Sequence, residues 1–295
     1  MSWHHRCIFF FLLVKRVLSV PNIAWFAPFY SGGGYCTEAT DFVKVLHRHV
    51  AVSISQHGDS FSAEYVSMMD PNTRELLRRL QQNRVTLPVI AVCHSEPGAW
   101  HAPTPHYHTQ RCPPANAAYR IGRTMFESDS LPSGWPARLA HMDEVWVPTQ
   151  HAFNIFQQFV PTRKLRVVPE FVDTSFYSPQ QPPSTDTTRF LFVGKWEERK
   201  GVYFLLEAFI QAFADIPNVE LVIVTNPYHS NNNITHDILS YVRAKISDFD
   251  LSRVRVLSSV PQSDMPALYS SSHALVHHLY SPPLIIREIG NSIPW

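Results

Sequence analysis

Residues Arg189 to Gly201, RFLFVGKWEERKG, run directly into the apolar pattern Val202 to Phe213, and few folds accommodate that succession. Apolar side chains ending at a glycine predict a buried strand from Phe190 to Val193. A charged loop follows at its tip, and a helix begins where Lys195 and Lys200 lie. The start of a helix presents free N–H groups and the positive end of its dipole, so two ammonium groups beside it suit a diphosphate. An isolated pair of lysines more often does no more than keep a turn in water. What surrounds this pair decides between the two readings.

The same succession occurs earlier in the chain. Asn22 to Ala27 (NIAWFA) reads as a strand, Ser31-Gly32-Gly33-Gly34 as a loop, and Cys36 to His47 as a helix, which is how an α/β domain opens. Further strands are expected at Val50 to Ile54, Pro88 to Val92, Tyr119 to Thr124, Glu144 to Val147 and Leu165 to Val168. Helices are expected at Thr73 to Gln82, Trp135 to His141 and Gln150 to Phe159. Such alternation implies a mostly parallel sheet covered on both faces. Asp173 to Thr188 carries Ser-Pro, Pro-Pro and a polar run that cannot build a core, so it reads as a linker. Beyond it, strands are expected at Phe190 to Val193, Val219 to Thr225, Arg253 to Leu257 and Ala274 to Val276, with helices at Val202 to Phe213, Ile234 to Ile246 and Asp264 to Tyr269. Four strands leave this second domain looking unfinished. The chain therefore divides into an extension (1–21), a first domain (22–172), a linker (173–188) and a partial second domain (189–295).

Composition narrows the functional classes. A chain of 295 residues, 45% hydrophobic and 17% charged, can bury two ordinary cores. Its 25 basic and 24 acidic side chains leave a net charge of +1, so no global field draws it onto nucleic acid, and any phosphate recognition must be local. The 16 histidines form no convincing ligand set, and no metal is expected. Cys7, Cys36, Cys93 and Cys112 lie far apart with no C-x-x-C pair, which suggests neither a zinc knuckle nor a disulfide framework and fits a reducing compartment. The apolar run Cys7 to Val14 is too short to span a bilayer and lacks a cleavage site, so a cytoplasmic location is expected, with peripheral membrane contact or secretory entry left open. The sequon Asn233-Ile234-Thr235 matters only in the secretory case.

Ligands of open parallel sheets bind outside the strand C-termini. Ser31 to Gly34, His94-Ser95-Glu96, Met125 to Glu127, Lys195 to Lys200 and Asn226 to His229 are all expected at such ends, on one rim. In isolation each has a plain alternative. The glycines suit a tight turn, His94 a hydrogen-bonded loop and Glu127 a helix start, while Trp25, Phe26, Phe29 and Tyr30 read as packing residues.

Seven segments in order carry a family resemblance: WFAPFYSGGGYCTEA from Trp25, VCHSEPGAW from Val92, IGRTMFESDSLPSGW from Ile121, DEVWVPT from Asp143, VVPEFVD from Val167, FVGKWEERKG from Phe192 and TNPYH from Thr225. Through them the chain, from about Asn22 to His278, resembles the GT-B glycosyltransferases of group 1, family 4 type. The resemblance implies an α/β, GT-B-like fold of two Rossmann-like doubly wound domains facing a cleft, the second incomplete. It implies transfer of a sugar from a nucleotide-sugar donor to a glycan, lipid or small-molecule acceptor hydroxyl, with retention and without a cofactor or required metal. It places the donor diphosphate on Lys195, Lys200, Gly33 and Gly34 and gives His94 a catalytic contact with the transferred sugar. Glu96, Glu127 and Asn226 become acceptor or sugar contacts.

The chain departs from the family at its C-terminal end. The family's E-x7-E pair is absent: Glu288 is the one acidic residue after Asp264, and Tyr280 stands eight positions before it. LIIREIGNSIPW reads as a degenerate remnant of the family's helix and following strand. The chain is thus expected to be a fragment or a shortened homologue. Beside the transferase, a non-catalytic nucleotide-sugar-binding protein and, less favoured, a GT-B isomerase or phosphorylase remain as alternatives.

Overall fold

The structure, a computed structural model, describes residues 22–86, 89–101, 109–126, 128–178, 186–197, 200–225, 234–245 and 249–277, with the backbone of 285–288. The chain forms two compact units, 1–173 and 174–295.

In the first unit a six-stranded sheet, all of whose pairs are parallel, has the order β2-β1-β3-β4-β5-β6. Its strands are β1 (Asn22–Ala27), β2 (Val52–Gln56), β3 (Val89–His94), β4 (Tyr119–Arg123), β5 (Glu144–Val147) and β6 (Leu165–Val167). Helices α1 (Gly34–Leu46), α2 (Ala63–Met68), α3 (Pro71–Gln82), α4 (Trp135–Ala140) and α5 (Gln150–Phe156) connect them. One apolar cluster gathers Trp25, Phe29, Phe42, Ile54 and Leu77; another gathers Phe26, Trp100, Trp135, Leu139 and Phe156. A parallel sheet is covered on both faces, which is why β3 and β5 read as nearly continuous apolar runs. Trp25, Phe26, Phe29 and Tyr30 are all buried, as packing residues should be.

Helix starts follow local chemistry. Asp70 caps α3, accepting from Thr73 N–H at 2.8 Å, with Pro71 as its first residue. Thr149 caps α5 through Ala152 N–H at 3.1 Å. The short helix α2 is absent from the sequence expectation because six residues give no readable period.

The second unit holds β7 (Thr188–Val193), α6 (Val202–Phe213), β8 (Val219–Val224), α7 (Ile234–Lys245), β9 (Val254–Leu257), α8 (Met265–Ser270), β10 (Ala274–His277) and β11 (Ile285–Glu288). The sheet order is β11-β10-β7-β8-β9. Here the expectation of four strands is corrected. Residues 285–288 add a fifth strand, antiparallel to β10, pairing Ala274 with Glu288 and His277 with Ile285. Adjacent β-branched residues and a short connection favour such a hairpin-like return.

A second correction concerns the cysteines. Cys93 and Cys112 form a disulfide, with Cα atoms 5.8 Å apart. Their 19-residue separation hid the pairing, since the fold brings the end of a long loop back onto β3. The bond removes the argument for a reducing compartment. Among the described residues no helix is long and apolar enough to cross a membrane.

Candidate functional site

Strand order determines where each sheet opens. In the first unit the chain moves from β1 to β2 on one side and to β3 on the other, so the order reverses between β1 and β3. In the second it reverses between β7 and β10. Ligands of doubly wound sheets bind outside the carboxyl ends at such points. The first point is bordered by Gly32–Gly34, Ser95 and Glu96, the second by Gly194–Gly201.

At the first point only glycine fits position 32. Its φ is +74°, and an added Cβ would lie 2.8 Å from Tyr65 Cδ2. Gly33 is the N-cap of α1 and supplies no capping side chain. Gly34 has no atom within 4 Å of the place a Cβ would take, so the backbone there faces open space. The helix start is nevertheless held firmly. Tyr35 donates its hydroxyl proton to Met125 C=O at 2.8 Å and accepts from Met125 N–H at 3.1 Å, joining α1 to the chain leaving β4. Glu96 is half-buried, and burial followed by the charge of Asp59 pushes its carboxyl up. Asp59 is exposed, with Oδ2 3.7 Å from the notional Cβ of Gly33. It was missed in the sequence, although His57-Gly58-Asp59 after β2, with Gly58 at φ +85°, is the kind of turn that delivers a residue to a sheet rim.

Beneath this rim lies a buried polar network. The Glu38 carboxylate accepts from His94 Nε2 at 2.7 Å and from Arg123 Nη2; all three side chains are nearly or wholly inaccessible. His94 Nδ1 accepts from Trp25 Nε1 at 3.2 Å, which assigns the ring proton to Nε2. Arg123 also donates to Val168 C=O, and its guanidinium lies over the Phe42 ring. Burial pushes Glu38 up, but the His94 hydrogen bond and the charge of Arg123 prevail and hold it below the usual carboxylate range. Burial lowers His94, so the ring is neutral at neutral pH. The plain alternative of a loop histidine is corrected, since His94 lies in a strand. It is the last residue of β3, fully buried, with both ring nitrogens engaged inside the unit.

At the second point β7 ends and Gly194 N–H donates to Val224 C=O at 3.0 Å. The loop turns tightly, with Glu197 N–H to Lys195 C=O at 2.9 Å and Lys200 N–H to Glu197 C=O at 3.0 Å. Gly201 then adopts φ +67° as the N-cap of α6, again without a capping side chain. Lys195 and Lys200 are half-buried and flank this helix start. Trp196 packs on Tyr203 (5.2 Å), and Tyr203 on Tyr241 (4.8 Å), which anchors the loop to α6 and α7. Both units thus present a glycine N-cap without a capping side chain at the point where strand order reverses.

Glu127, Asn226 and the Asn233 sequon lie outside the described residues, as does the side chain of Glu288. Among the described residues no three His, Cys, Asp or Glu side chains are grouped to hold a metal ion.

The described fold is thus two doubly wound α/β units, each with a glycine-capped helix at its point of strand-order reversal. Residues 187–293 match the family described as "Glycosyl transferases group 1". No curated protein matches the chain. The chain is similar in fold to HepE of Anabaena, solved with UDP and glucose, at 13% identity over 89% of this chain and 75% of that one, with a TM-score of 0.52. It is likewise similar to the lipopolysaccharide outer core galactosyltransferase WaaB in its apo form (13% identity, 87% and 73% covered, TM-score 0.53). MnaA of S. aureus, solved with UDP, gives 10% identity, the same two coverages and the same TM-score.

Proposed function

We propose that this chain binds a nucleotide-sugar donor through its second unit and transfers the sugar to an acceptor hydroxyl. The observation that carries the reading is the turn from Gly194 to Gly201. It lies within the group 1 glycosyltransferase match and sets two lysines beside an uncapped helix start. The leaving diphosphate gains charge as the glycosidic bond breaks, so fixed ammonium groups and N–H donors lower the barrier through electrostatic preorganisation. Uridine diphosphate, bound in the HepE and MnaA structures, is the natural first probe. Transfer proceeds with retention and needs no metal. We assign no protein nucleophile: the double displacement of a retaining glycosidase would require two carboxyl groups about 5 Å apart.

Gly33 and Gly34 let a ligand approach the backbone of α1, and Glu96 with Asp59 faces the acceptor. His94 acts from within, orienting the tip of β3. In the second reading, favoured by the missing E-x7-E pair, the chain binds donor without turnover. Calorimetric titration with uridine diphosphate tests donor binding. Lys195→Ala and Lys200→Ala should each weaken it by about 1–3 kcal/mol, the worth of a charge-assisted phosphate contact. Unchanged binding in the double variant would remove the lysines from the site, and binding without transfer across acceptors would select the second reading.

A further inference from the structure

The Cys93–Cys112 bond sits in an informative place. Cys93 is an interior residue of β3, in register with Phe26 of β1 on one side and Gly122 of β4 on the other. Neither cysteine has exposed surface, and both belong to the apolar cluster of Phe26, Trp100, Trp135 and Leu139. The chain is fastened around the bridge at several further points. His101 N–H donates to Cys112 C=O at 2.8 Å, and Trp100 Nε1 donates to Ser95 Oγ at 3.2 Å. Arg138 donates to Trp100 C=O, while the Trp100 ring lies against the bare backbone of Gly122. The segment held this way leaves the tip of β3 and carries Ser95 and Glu96 onto the rim.

Exchange at a disulfide requires a thiolate to reach one sulfur. Here both sulfurs are enclosed by apolar side chains, so the folded unit shields the bond from soluble thiols, and it is not a switch. Structural disulfides of this kind form and persist in oxidising compartments, whereas cytosolic thiol pools keep cysteines reduced. We propose that Cys93–Cys112 is a permanent clamp closed during folding, and that the chain therefore folds and works in an oxidising, secretory-type compartment on acceptors found there. Closure is thiol–disulfide exchange. The two thiols lose two protons and two electrons as the bond forms, and the disulfide of an oxidoreductase or of glutathione is reduced to two thiols. The clamp and its compartment stand whether or not the chain transfers sugar; only the choice of acceptor rests on the proposed function.

Arg111 immediately precedes Cys112, so trypsin releases residues 85–111 and 112–120 as separate peptides unless the bridge joins them. The full chain is produced in an oxidising and in a reducing host compartment, quenched in acid, alkylated, digested and weighed. The oxidised preparation should yield the joined pair. The bond should resist dithiothreitol in the native state and yield to it in denaturant. The thermal midpoint should exceed that of a Cys93→Ala, Cys112→Ala chain by about 6–12 °C. Failure of the double variant to fold at all supports the same conclusion. Two alkylated thiols in the oxidised preparation would overturn the clamp, and an equal midpoint in the double variant would overturn the need for an oxidising compartment.

Discussion

Glu38 and Arg123, 85 positions apart, form an ion pair whose side chains are 6% and 0% exposed. The pair joins the second turn of α1 to the tip of β4. A buried pair adds little over well-packed apolar residues, but losing one partner strands the other charge. Glu38→Ala should therefore cost about 3–5 kcal/mol in urea unfolding of the first unit, whereas Glu38→Leu with Arg123→Met should recover most of that. If Glu38→Ala were as stable as the parent, the pair would not be anchoring the rim.

The Glu38 pair also makes the unit acid-sensitive. Its folded value lies below the ordinary one, so its contribution is present above the usual carboxylate range and disappears as pH falls through the folded value.

His57 contributes with the same sign at higher pH. Burial lowers it from 6.5 to about 4, so between these values the unfolded chain binds a proton that the folded chain refuses, and stability falls as pH falls. Asp41, raised to about 6 chiefly by burial, acts with the opposite sign over part of that window. The informative quantity is therefore a difference. From pH 7 to pH 4, denaturant titrations should show the parent losing about 3 kcal/mol relative to His57→Gln. Parallel curves would show that His57 protonates freely in the folded state.

Gly122 is the floor on which Trp100 rests. A Cβ there would stand 2.3 Å from Trp100 Cη2, so Gly122→Ala must displace the indole and should cost about 1–3 kcal/mol. Adding Trp100→Phe should make the two changes less than additive, since both touch one contact. Strict additivity in thermal or urea unfolding would deny the contact.

Gly34 and Gly201 separate ligand approach from backbone strain. Gly34 has open space and ordinary dihedrals, so Gly34→Ala should leave the fold as stable or up to about 1 kcal/mol more so. Any loss should appear in ligand binding. Gly201 sits at φ +67°, and Gly201→Ala should cost about 1–2 kcal/mol in the second unit. Titration with uridine diphosphate and with acceptor sugars, run beside unfolding curves, tests both. Undiminished binding of every ligand by Gly34→Ala would remove the first glycine loop from the site.

The sequence by itself determined the kind and order of the elements. Val202–Phe213 and Asn22–Ala27 appear in the structure with the bounds their periodicity announced, because the 3.6- and 2-residue repeats of apolar side chains are local properties. The lysines and glycines were legible for the same reason, since a strand tip and a helix start declare themselves within a dozen residues. Strand order was not, and neither was the company His94 keeps. Its partners Trp25 and Glu38 lie 69 and 56 positions away, and whether a histidine faces a ligand or a buried carboxylate depends on which strands become neighbours. The Cys93–Cys112 bond and the approach of Asp59 to Gly33 belong to the same class. Each joins groups that no spacing relates, and only the packing of the sheets, driven by burial of their apolar faces, brings them together.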